Sequence, residues 1–236
     1  MRRNFMGEFA QKRLIRKLDL ELFLAKVAPQ PTPKAHLEQY TISEQAAANM
    51  LYIAAYVNGD VVGKSVLDLG CGTGRLGLGA AFLGAESVVG IDIDHLAIKT
   101  ACENAAKNNL PIQLINGDVA SITGHFDTVL ENPPFGVQNR EADRAFLVKA
   151  LEVGYTIYSL HNHPEVDERL IKQLKASQGF LQVEASPFLQ RFIEKHGGAV
   201  KAVYSLPMTI PRMFDFHSKL KHDFVIDLYV IQKKNF

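Results

Sequence analysis

The sequence predicts an α/β fold with a mostly parallel, doubly wound sheet that finishes in an antiparallel C-terminal strand. Over the first two thirds of the chain, short apolar runs alternate with segments of helical period, which is typical of parallel strands joined by helices. Near the end, the strand candidates at 199–206 and 224–231 have no long helical segment between them, which indicates antiparallel pairing. A length of 236 residues suits one core, so we expect one principal domain.

The first 36 residues are predicted to form a basic helix and a proline-rich linker, followed by a single domain at 37–236. Leu18 and Leu22 lie at helical spacing among lysines and arginines, which indicates a basic amphipathic helix within residues 1–28. Pro29, Pro31 and Pro33 cannot continue it, because proline fixes φ and removes a backbone donor. In the domain, helices are predicted at 43–57, 76–83, 95–108, 143–153 and 165–176, and strands at 65–69, 87–91, 112–115, 126–130, 155–159, 179–184, 199–206 and 224–231.

Composition excludes several classes of protein. The formal net charge is +1, so the overall charge gives no reason to expect a nucleic acid, membrane or acidic partner. Cys71 and Cys102 are too few for a disulfide framework, and no cysteine or histidine spacing suits zinc, so we expect no metal. No run approaches the roughly 18 apolar residues of a membrane helix. We therefore expect a cytoplasmic protein without a membrane partner.

A glycine turn follows the first predicted strand, in the sequence VLDLGCGTG at 66–74. Gly70 and Gly72 carry the turn and allow a ligand to approach the backbone closely. Asp92 ends the second strand, where a carboxylate can accept hydrogen bonds from both hydroxyls of a ribose. We expect the Asp92 side chain to be exposed and to contribute little to the core. The pattern predicts a cofactor that contains a nucleoside, although a glycine turn alone is equally typical of a tight strand–helix connection.

Details of the turn favour S-adenosylmethionine over a dinucleotide. The glycines run GxGxG rather than GxGxxG, and Asp68 precedes them on the strand. A carboxylate there suits the ammonium of a methionine moiety and repels a pyrophosphate. At the end of the third strand, the Asp118 carboxylate and the backbone N–H of Val119 can read an adenine edge.

The segment Asn132-Pro-Pro-Phe135 follows the strand at 126–130 and predicts the catalytic site. An exocyclic amine is a poor nucleophile because its lone pair is delocalised into the ring. The Asn132 side-chain oxygen and the Pro133 carbonyl can accept its hydrogens while the nitrogen becomes tetrahedral, and Pro133 and Pro134 fix the backbone. Phe135 can stack on an extruded base. In isolation, the alternative is an ordinary Pro-Pro turn after a strand.

Together these residues resemble the methyltransferase-like enzymes that make N6-methyladenosine in small-subunit ribosomal RNA, most closely the archaeal branch. The resemblance spans about residues 12 to 232. It implies a Rossmann-like class I methyltransferase fold, S-adenosylmethionine as cofactor and pairing with a small zinc-binding methyltransferase activator. The motifs are LEQY at 37–40, DLGCGTG at 68–74, GIDID at 90–94, NPPFG at 132–136, YSLH at 158–161 and Phe216-His217. The implied cofactor contacts are Gln39, Gly70, Thr73, Asp92, Asp118 and Val119, with adenine held by Asn132 to Phe135.

The sequence departs from the family pattern in two places. The LEQY motif of the family is usually followed by Pro-Thr, the threonine touching the cofactor, whereas Thr41-Ile42 follows here. Either Thr41 or Ser43 takes over that contact, or it is missing. Residues 186–198 resemble an extension that shorter members lack. His161 and His163 are interpreted as loop histidines near the substrate, because a third metal ligand is not evident.

Three functional hypotheses follow from the sequence. The first is methylation of adenine N6 in structured RNA, small-subunit rRNA in particular, with the N-terminal basic helix assisting RNA capture. The second keeps the chemistry but changes the acceptor to DNA adenine, guanine N2 or a protein glutamine amide, since the same pair of acceptors serves any planar NH₂ group. The third is a cofactor-binding ribosome-assembly protein with little turnover. An intact NPPF segment argues against the third, and the lack of a target-recognition domain argues against a sequence-specific DNA enzyme.

Overall fold

A computed structural model describes residues 14–34, 37–135, 142–164, 168–177, 179–211 and 221–234. In this part of the chain, eight strands form one sheet in the order β3-β2-β1-β4-β5-β8-β7-β6. The strands are β1 (Ser65–Leu69), β2 (Ser87–Asp92), β3 (Gln113–Asn116), β4 (Phe126–Glu131), β5 (Gly154–Asn162), β6 (Leu181–Val183), β7 (Gly198–Pro211) and β8 (Lys221–Lys233). The helices are α1 (Lys17–Leu24), α2 (Glu44–Tyr52), α3 (Arg75–Leu83), α4 (His95–Asn108), α5 (Ala142–Val153), α6 (Glu168–Ala176) and α7 (Pro187–Lys195).

The sheet confirms the predicted fold class. Strands β1 to β5 pair in parallel, and β8 pairs antiparallel with both β5 and β7. The antiparallel part is larger than the single strand predicted, because β6, β7 and β8 all belong to it. The π-helical turn Ile53–Val57 extends α2, which explains why the sequence predicts one helix to residue 57.

Strand β1 lies between β2 and β4, so the strand order reverses there. Helices that follow the strands on either side of such a reversal leave on opposite faces, and a crevice opens at the carboxyl ends of the strands. The register places Leu69, the last residue of β1, opposite Glu131, the last residue of β4. The glycine turn after β1 and the NPPF segment after β4 therefore begin side by side.

Both faces of the central strands are buried, as is typical of a parallel sheet. Successive residues alternate between two apolar clusters: Val66 and Tyr158 face one cluster, whereas Leu67 and Ile157 face the other. The first cluster contains residues of α1, α2 and α3, and the second contains residues of α5 and α7. Helix α7 was absent from the predicted elements; Leu189 and Ile193 bury its apolar face in the second cluster.

Helix α1 is oriented differently from the sequence prediction. The helical spacing predicts an apolar face made of Leu14, Ile15, Leu18, Leu22 and Phe23. Ile15 and Phe23 do pack against the core, whereas the three leucines are 57–71% exposed and Leu20 and Leu24 are fully buried instead. Phe23 stacks on Phe82 of α3, with ring centroids 4.2 Å apart. The helix is thus anchored to the core by the side opposite to the one that its leucine spacing indicates. The division at residue 36 and a role in RNA capture stay predictions. Within the described ranges, no helix is long and apolar enough to cross a membrane.

Candidate active site

The turn after β1 needs glycine at two positions because of their backbone conformation, and at one of them also because of a lack of space. Gly70 and Gly72 have φ values of +72° and +54°, in the left-handed region that favours glycine. A Cβ atom on Gly70 would also lie 2.6 Å from the ring of Phe146, so no larger residue fits there. Helix α3 begins at Arg75, immediately beyond the turn.

Asp92 stabilises this turn from the end of the neighbouring strand. Its Oδ2 accepts a hydrogen bond from the Gly72 N–H at 2.8 Å, and its Oδ1 accepts one from the Asp94 N–H at 2.8 Å. Burial raises the pKa of Asp92, although these two N–H groups oppose the shift. The expectation of an exposed carboxylate with no structural role is therefore wrong, because the side chain holds two loops together.

A cavity of 340 Å³, which we call the first cavity, opens above the glycine turn. Its volume falls in the range of small-molecule sites, roughly 300–1,000 Å³. The nine residues predicted to bind the cofactor all contribute to its lining: Gln39, Thr41, Asp68, Gly70, Gly72, Thr73, Asp92, Asp118 and Val119. The structure thus brings together side chains that are spread over 81 positions of the chain, from 39 to 119.

Asp68 is the most deeply buried carboxylate in this lining, with 2% of its surface exposed. Its Oδ2 accepts a hydrogen bond from the Gly77 N–H at 2.7 Å, near the start of α3. Burial raises the pKa of Asp68 to about 7; the Gly77 N–H lowers it and the neighbouring Asp92 raises it further. A cationic ligand group near Asp68 would be favoured because it would offset the desolvation of this carboxylate.

The linker between α1 and α2 is tied to the site through Asp94, a contact that the sequence did not indicate. Gln30, Lys34 and Gln39 donate hydrogen bonds to the Asp94 carboxylate at 3.0, 2.8 and 2.8 Å. Burial alone would raise the pKa of Asp94, but the bonds from Lys34 and Gln39 hold it below its ordinary value. The same carboxylate caps α4 by accepting from the Leu96 N–H at 3.1 Å. The linker therefore forms one wall of the first cavity.

The two departures from the family pattern are now placed in the structure. Thr41 lines the first cavity, whereas Ser43 caps α2, its hydroxyl accepting a hydrogen bond from the Ala46 N–H. Residues 186–198 form α7 and the turn that leads into β7. At the other end of the cavity, exposed Asp118 caps the short 3-10 helix Val119–Ser121 by accepting from the Ala120 N–H at 2.8 Å.

Asn132 is held with its side-chain oxygen available. Its Nδ2 donates to the carbonyl oxygen of Tyr40 at 3.2 Å, and only the amide nitrogen can make that bond. The Oδ1 atom is buried and accepts no hydrogen bond from any residue in the described part of the chain. A buried acceptor without a donor costs about 1–3 kcal/mol, so this oxygen is suited to a ligand N–H group.

The other NPPF residues are divided between two cavities. Pro134 lines the first cavity, whereas Phe135 lines a second cavity of 180 Å³ and makes an edge contact with Phe224, with ring centroids 6.1 Å apart. Pro133 is buried and contributes to the lining of neither. At the start of α5, Ala142 lines the first cavity and Asp143 lines the second. The two cavities are therefore neighbours, and Gly136 lies outside the described residues.

Glu131, directly before Asn132, was not predicted as a functional residue. It is completely buried, and neither carboxylate oxygen has a hydrogen-bond partner among the described residues. Burial raises its pKa to about 8; the nearby Ser159 hydroxyl opposes this shift, and the Asp143 carboxylate adds to it. Its only sequence signal is an acidic residue at the end of an apolar strand.

Of the two histidines predicted to lie in a loop, His161 lies in a strand instead, whereas His163 does lie in a loop. His161 belongs to β5, is 4% exposed, and pairs with the Ser159 hydroxyl at 2.8 Å. Burial lowers the pKa of His161 to about 4, so it is neutral at physiological pH. His163 lies just beyond β5 and contacts Asp227 at 2.9 Å. The described residues contain no group of three or more side chains able to hold a metal ion. Phe216 and His217 of the family motif lie outside the described residues.

Comparison with known proteins identifies the class of enzyme. Residues 47–153 match the family model described as methyltransferase small domain. The structure superposes on that of a candidate RNA methyltransferase from Pyrococcus horikoshii with a TM-score of 0.77, at 33% identity over 94% of this chain and 99% of the other. The chain is an S-adenosylmethionine-dependent methyltransferase with a Rossmann-like fold.

Two relatives define the family more closely. The METTL5 rRNA N(6)-adenosine-methyltransferase of Danio rerio is 34% identical over 216 residues, which cover 89% of this chain and 95% of the relative. An uncharacterized protein of Methanocaldococcus jannaschii is 37% identical over 235 residues, covering 94% of this chain and 97% of the relative. The chain belongs to the methyltransferase family that contains these proteins.

Proposed function

We propose that this protein transfers a methyl group from S-adenosylmethionine to the exocyclic N6 amine of an adenine in RNA, and that small-subunit rRNA is its substrate. The observation that carries the proposal is the Asn132 amide, whose nitrogen is bound to Tyr40 while its buried oxygen has no partner among the described residues. The relatives from Danio rerio and Drosophila melanogaster, at 34% and 31% identity, are named rRNA N(6)-adenosine-methyltransferases. Their names support adenine in RNA as the acceptor.

The first cavity fits the cofactor in volume and in chemistry. Asp92 would accept hydrogen bonds from the ribose hydroxyls, Asp118 and the Val119 N–H would bind the adenine edge, and buried Asp68 would face the ammonium of the methionine moiety. When bound, the cofactor supplies a methyl group on a sulfonium, which is electrophilic. Thr41 and Gln39 lie in the same lining and would restrict the exit of the ligand through the linker side.

The residues of the NPPF segment would prepare the acceptor amine. The free Oδ1 of Asn132 and the Pro133 carbonyl would accept its two hydrogens and localise its lone pair on nitrogen. These two acceptors would hold the amine while its nitrogen takes up the methyl group and becomes tetrahedral and positively charged, with the thioether of the demethylated cofactor as the leaving group. One N–H proton then leaves to solvent, so no general base is required. Phe135 would hold the base by stacking.

A small zinc-binding activator is proposed as a partner. Strand β3 stands at one end of the described sheet, and most of its residues are exposed. An unpaired strand edge is a template that a partner strand can extend. Sedimentation of the mixed proteins at micromolar concentration tests this proposal, and the absence of a complex would leave the chain to act alone.

The acceptor is tested by methyl transfer from labelled cofactor to total RNA, DNA and protein, followed by nucleoside analysis of the labelled fraction. N6-methyladenosine in small-subunit rRNA is the expected product. Label in DNA adenine, guanine N2 or glutamine would replace the proposed acceptor with one of those groups, and no label in any fraction would favour a binding protein.

Three variants test the catalytic assignment. Asn132→Ala should lower single-turnover transfer by roughly 10²–10³, the usual effect of removing one preorganised contact, while cofactor affinity is retained. Phe135→Ala should instead raise the RNA concentration that gives half the maximal rate, and Phe135→Tyr should keep most activity because it keeps the ring. Wild-type rates in Asn132→Ala would show that the NPPF segment is only a turn.

A further inference from the structure

The second cavity has a wall that the proposed acceptor chemistry does not explain. Phe135 and Asp143 line it on the side of the NPPF segment, and Ser186 and Phe188 line it on the side of α7. Asn132 and Pro133 account for the acceptor amine, and Phe135 accounts for the acceptor base. The α7 residues that line the second cavity therefore have no role in the proposed function.

Phe188 is the unusual residue of this wall. Its neighbours Leu189 and Ile193 are buried, so the core fixes the orientation of α7. Phe188 itself remains 52% exposed at the edge of the cavity. A large aromatic ring in that position is not needed for packing, and exposed aromatic rings beside a cavity are typical of binding sites.

Two arginines lie on the side of Phe188. The Arg144 guanidinium, at the start of α5, lies 5.3 Å from the centre of the Phe188 ring. Arg191 is exposed and follows Phe188 by three residues, so both lie on the same side of α7. An aromatic ring combined with arginine suits a nucleic acid strand, because the bases stack on rings and guanidinium planes while the arginines attract phosphate. The cavity also contains one acidic side chain, Asp143, which can accept a hydrogen bond from a base N–H group.

We propose that Phe188 and Arg144 form a stacking platform for the base next to the acceptor adenine in a single-stranded RNA segment. This inference rests on the proposed function, since it assigns Phe135 to the acceptor base and Phe188 to its neighbour. The α7 segment at 186–198 thereby gains a role: it positions the strand, whereas the NPPF segment performs the chemistry. An enzyme with this platform holds a flanking nucleotide as well as the reactive one, so it favours an adenine inside an unpaired segment over an isolated nucleotide.

The test compares two substrates. One is a short oligoribonucleotide with a single central adenosine among uridines, and the other is adenosine monophosphate, which has no neighbouring base. Phe188→Ala should raise the KM for the oligoribonucleotide about 5- to 150-fold, the effect of losing one base–aromatic stack, with kcat little changed. Transfer to adenosine monophosphate should be unaffected by the substitution. Phe188→Tyr should restore the oligoribonucleotide KM because it restores the ring.

A matched control and a binding measurement separate this inference from the proposed function. Tyr155→Ala removes an aromatic residue that is 40% exposed at the opposite end of β5, and it should leave the KM unchanged. Fluorescence anisotropy with the labelled oligoribonucleotide measures affinity without methyl transfer. If Phe188→Ala binds and methylates the oligoribonucleotide as the wild type does, the platform is disproved and the proposed function stands. If Phe188→Ala weakens binding but the wild type methylates no RNA, Phe188 still contacts RNA, whereas the proposed function fails and the assignment of Phe188 to the base next to the acceptor adenine fails with it.

Discussion

Asp92→Ala should affect both stability and cofactor binding, because the carboxylate that faces the cavity also closes the glycine turn. The substitution removes the acceptor of two backbone N–H groups, those of Gly72 and Asp94, each bonded at 2.8 Å. An orphaned N–H group costs about 1–3 kcal/mol when buried, and this site is partly open to water. We therefore expect the free energy of unfolding to fall by about 2 kcal/mol in total. Urea denaturation should show a lower midpoint with an unchanged m-value.

The cofactor measurement uses calorimetry with S-adenosylmethionine on the folded protein. Hydrogen bonds to a charged group contribute about 1.5–3 kcal/mol each, so loss of the ribose contacts should weaken binding by at least tenfold. Asp92→Asn separates the role in the turn from the role in ribose binding. The asparagine oxygen can accept a hydrogen bond from one N–H group of the turn, but it carries no charge with which to strengthen the hydrogen bonds from the ribose hydroxyls. An unchanged urea midpoint in Asp92→Ala would refute the structural role. Unchanged affinity in the folded variant would refute the ribose assignment.

Three further predictions follow from buried groups. Because the pKa of Asp68 is about 7, lowering the pH from 8 to 6 should neutralise it and weaken S-adenosylmethionine binding about tenfold, and calorimetry on Asp68→Asn should lose this dependence. The pKa of Glu131 is raised from 4.5 to about 8, so this group has no effect on stability below about pH 4.5 and destabilises the folded state increasingly up to about pH 8. Glu131→Gln should therefore raise the free energy of unfolding by roughly 3 kcal/mol at pH 7 and by little at pH 4, as measured by urea denaturation. Gly79→Ala should destabilise the protein by about 1–3 kcal/mol despite the better helix propensity of alanine, because the new Cβ would lie 2.3 Å from Leu51 Cδ1; thermal unfolding that shows a gain would contradict this packing.

Most of the first cavity could be predicted from the sequence because its parts obey local rules. A glycine turn after a buried strand places Gly70 and Gly72 at the carboxyl edge of the sheet, where Asp92 ends the next strand and Asp118 lies just after the third. Parallel strands bring their carboxyl ends to one edge, so residues far apart in the chain converge there. The same rule places Asn132 beside the turn. The spacing of apolar residues, together with the positions at which strands end, was sufficient to predict this part of the structure.

The contacts between distant side chains could not be predicted in the same way. Gln30 donates a hydrogen bond to Asp94, which lies 64 positions further along the chain, and no periodic pattern in the sequence predicts such a bond. The polar linker indicates only that the helix has ended, not which carboxylate it contacts. Helix α7 was missed because it has only nine residues, of which Leu189 and Ile193 alone are buried, and because it lies between two strands, β6 and β7. The orientation of α1 was wrong because leucines occupy both of its sides, so the spacing alone does not select the buried side.

Glu131 and Asn132 together indicate why the end of β4 differs from an ordinary strand end. Two adjacent residues present buried oxygens without hydrogen-bond partners among the described residues, although native proteins satisfy nearly all such groups. For Asn132, the Tyr40 carbonyl explains the arrangement, since it fixes the amide and leaves the oxygen unbonded, where the proposed function places the substrate amine. Glu131 is not fixed in this way: the nearby Ser159 hydroxyl only partly opposes the effect of burial, and desolvation of the carboxylate makes the folded state less stable at neutral pH. A neutral acid at this position leaves no negative charge beside the amine as it becomes cationic, so Asn132 and Pro133, rather than a buried carboxylate, would stabilise the developing charge.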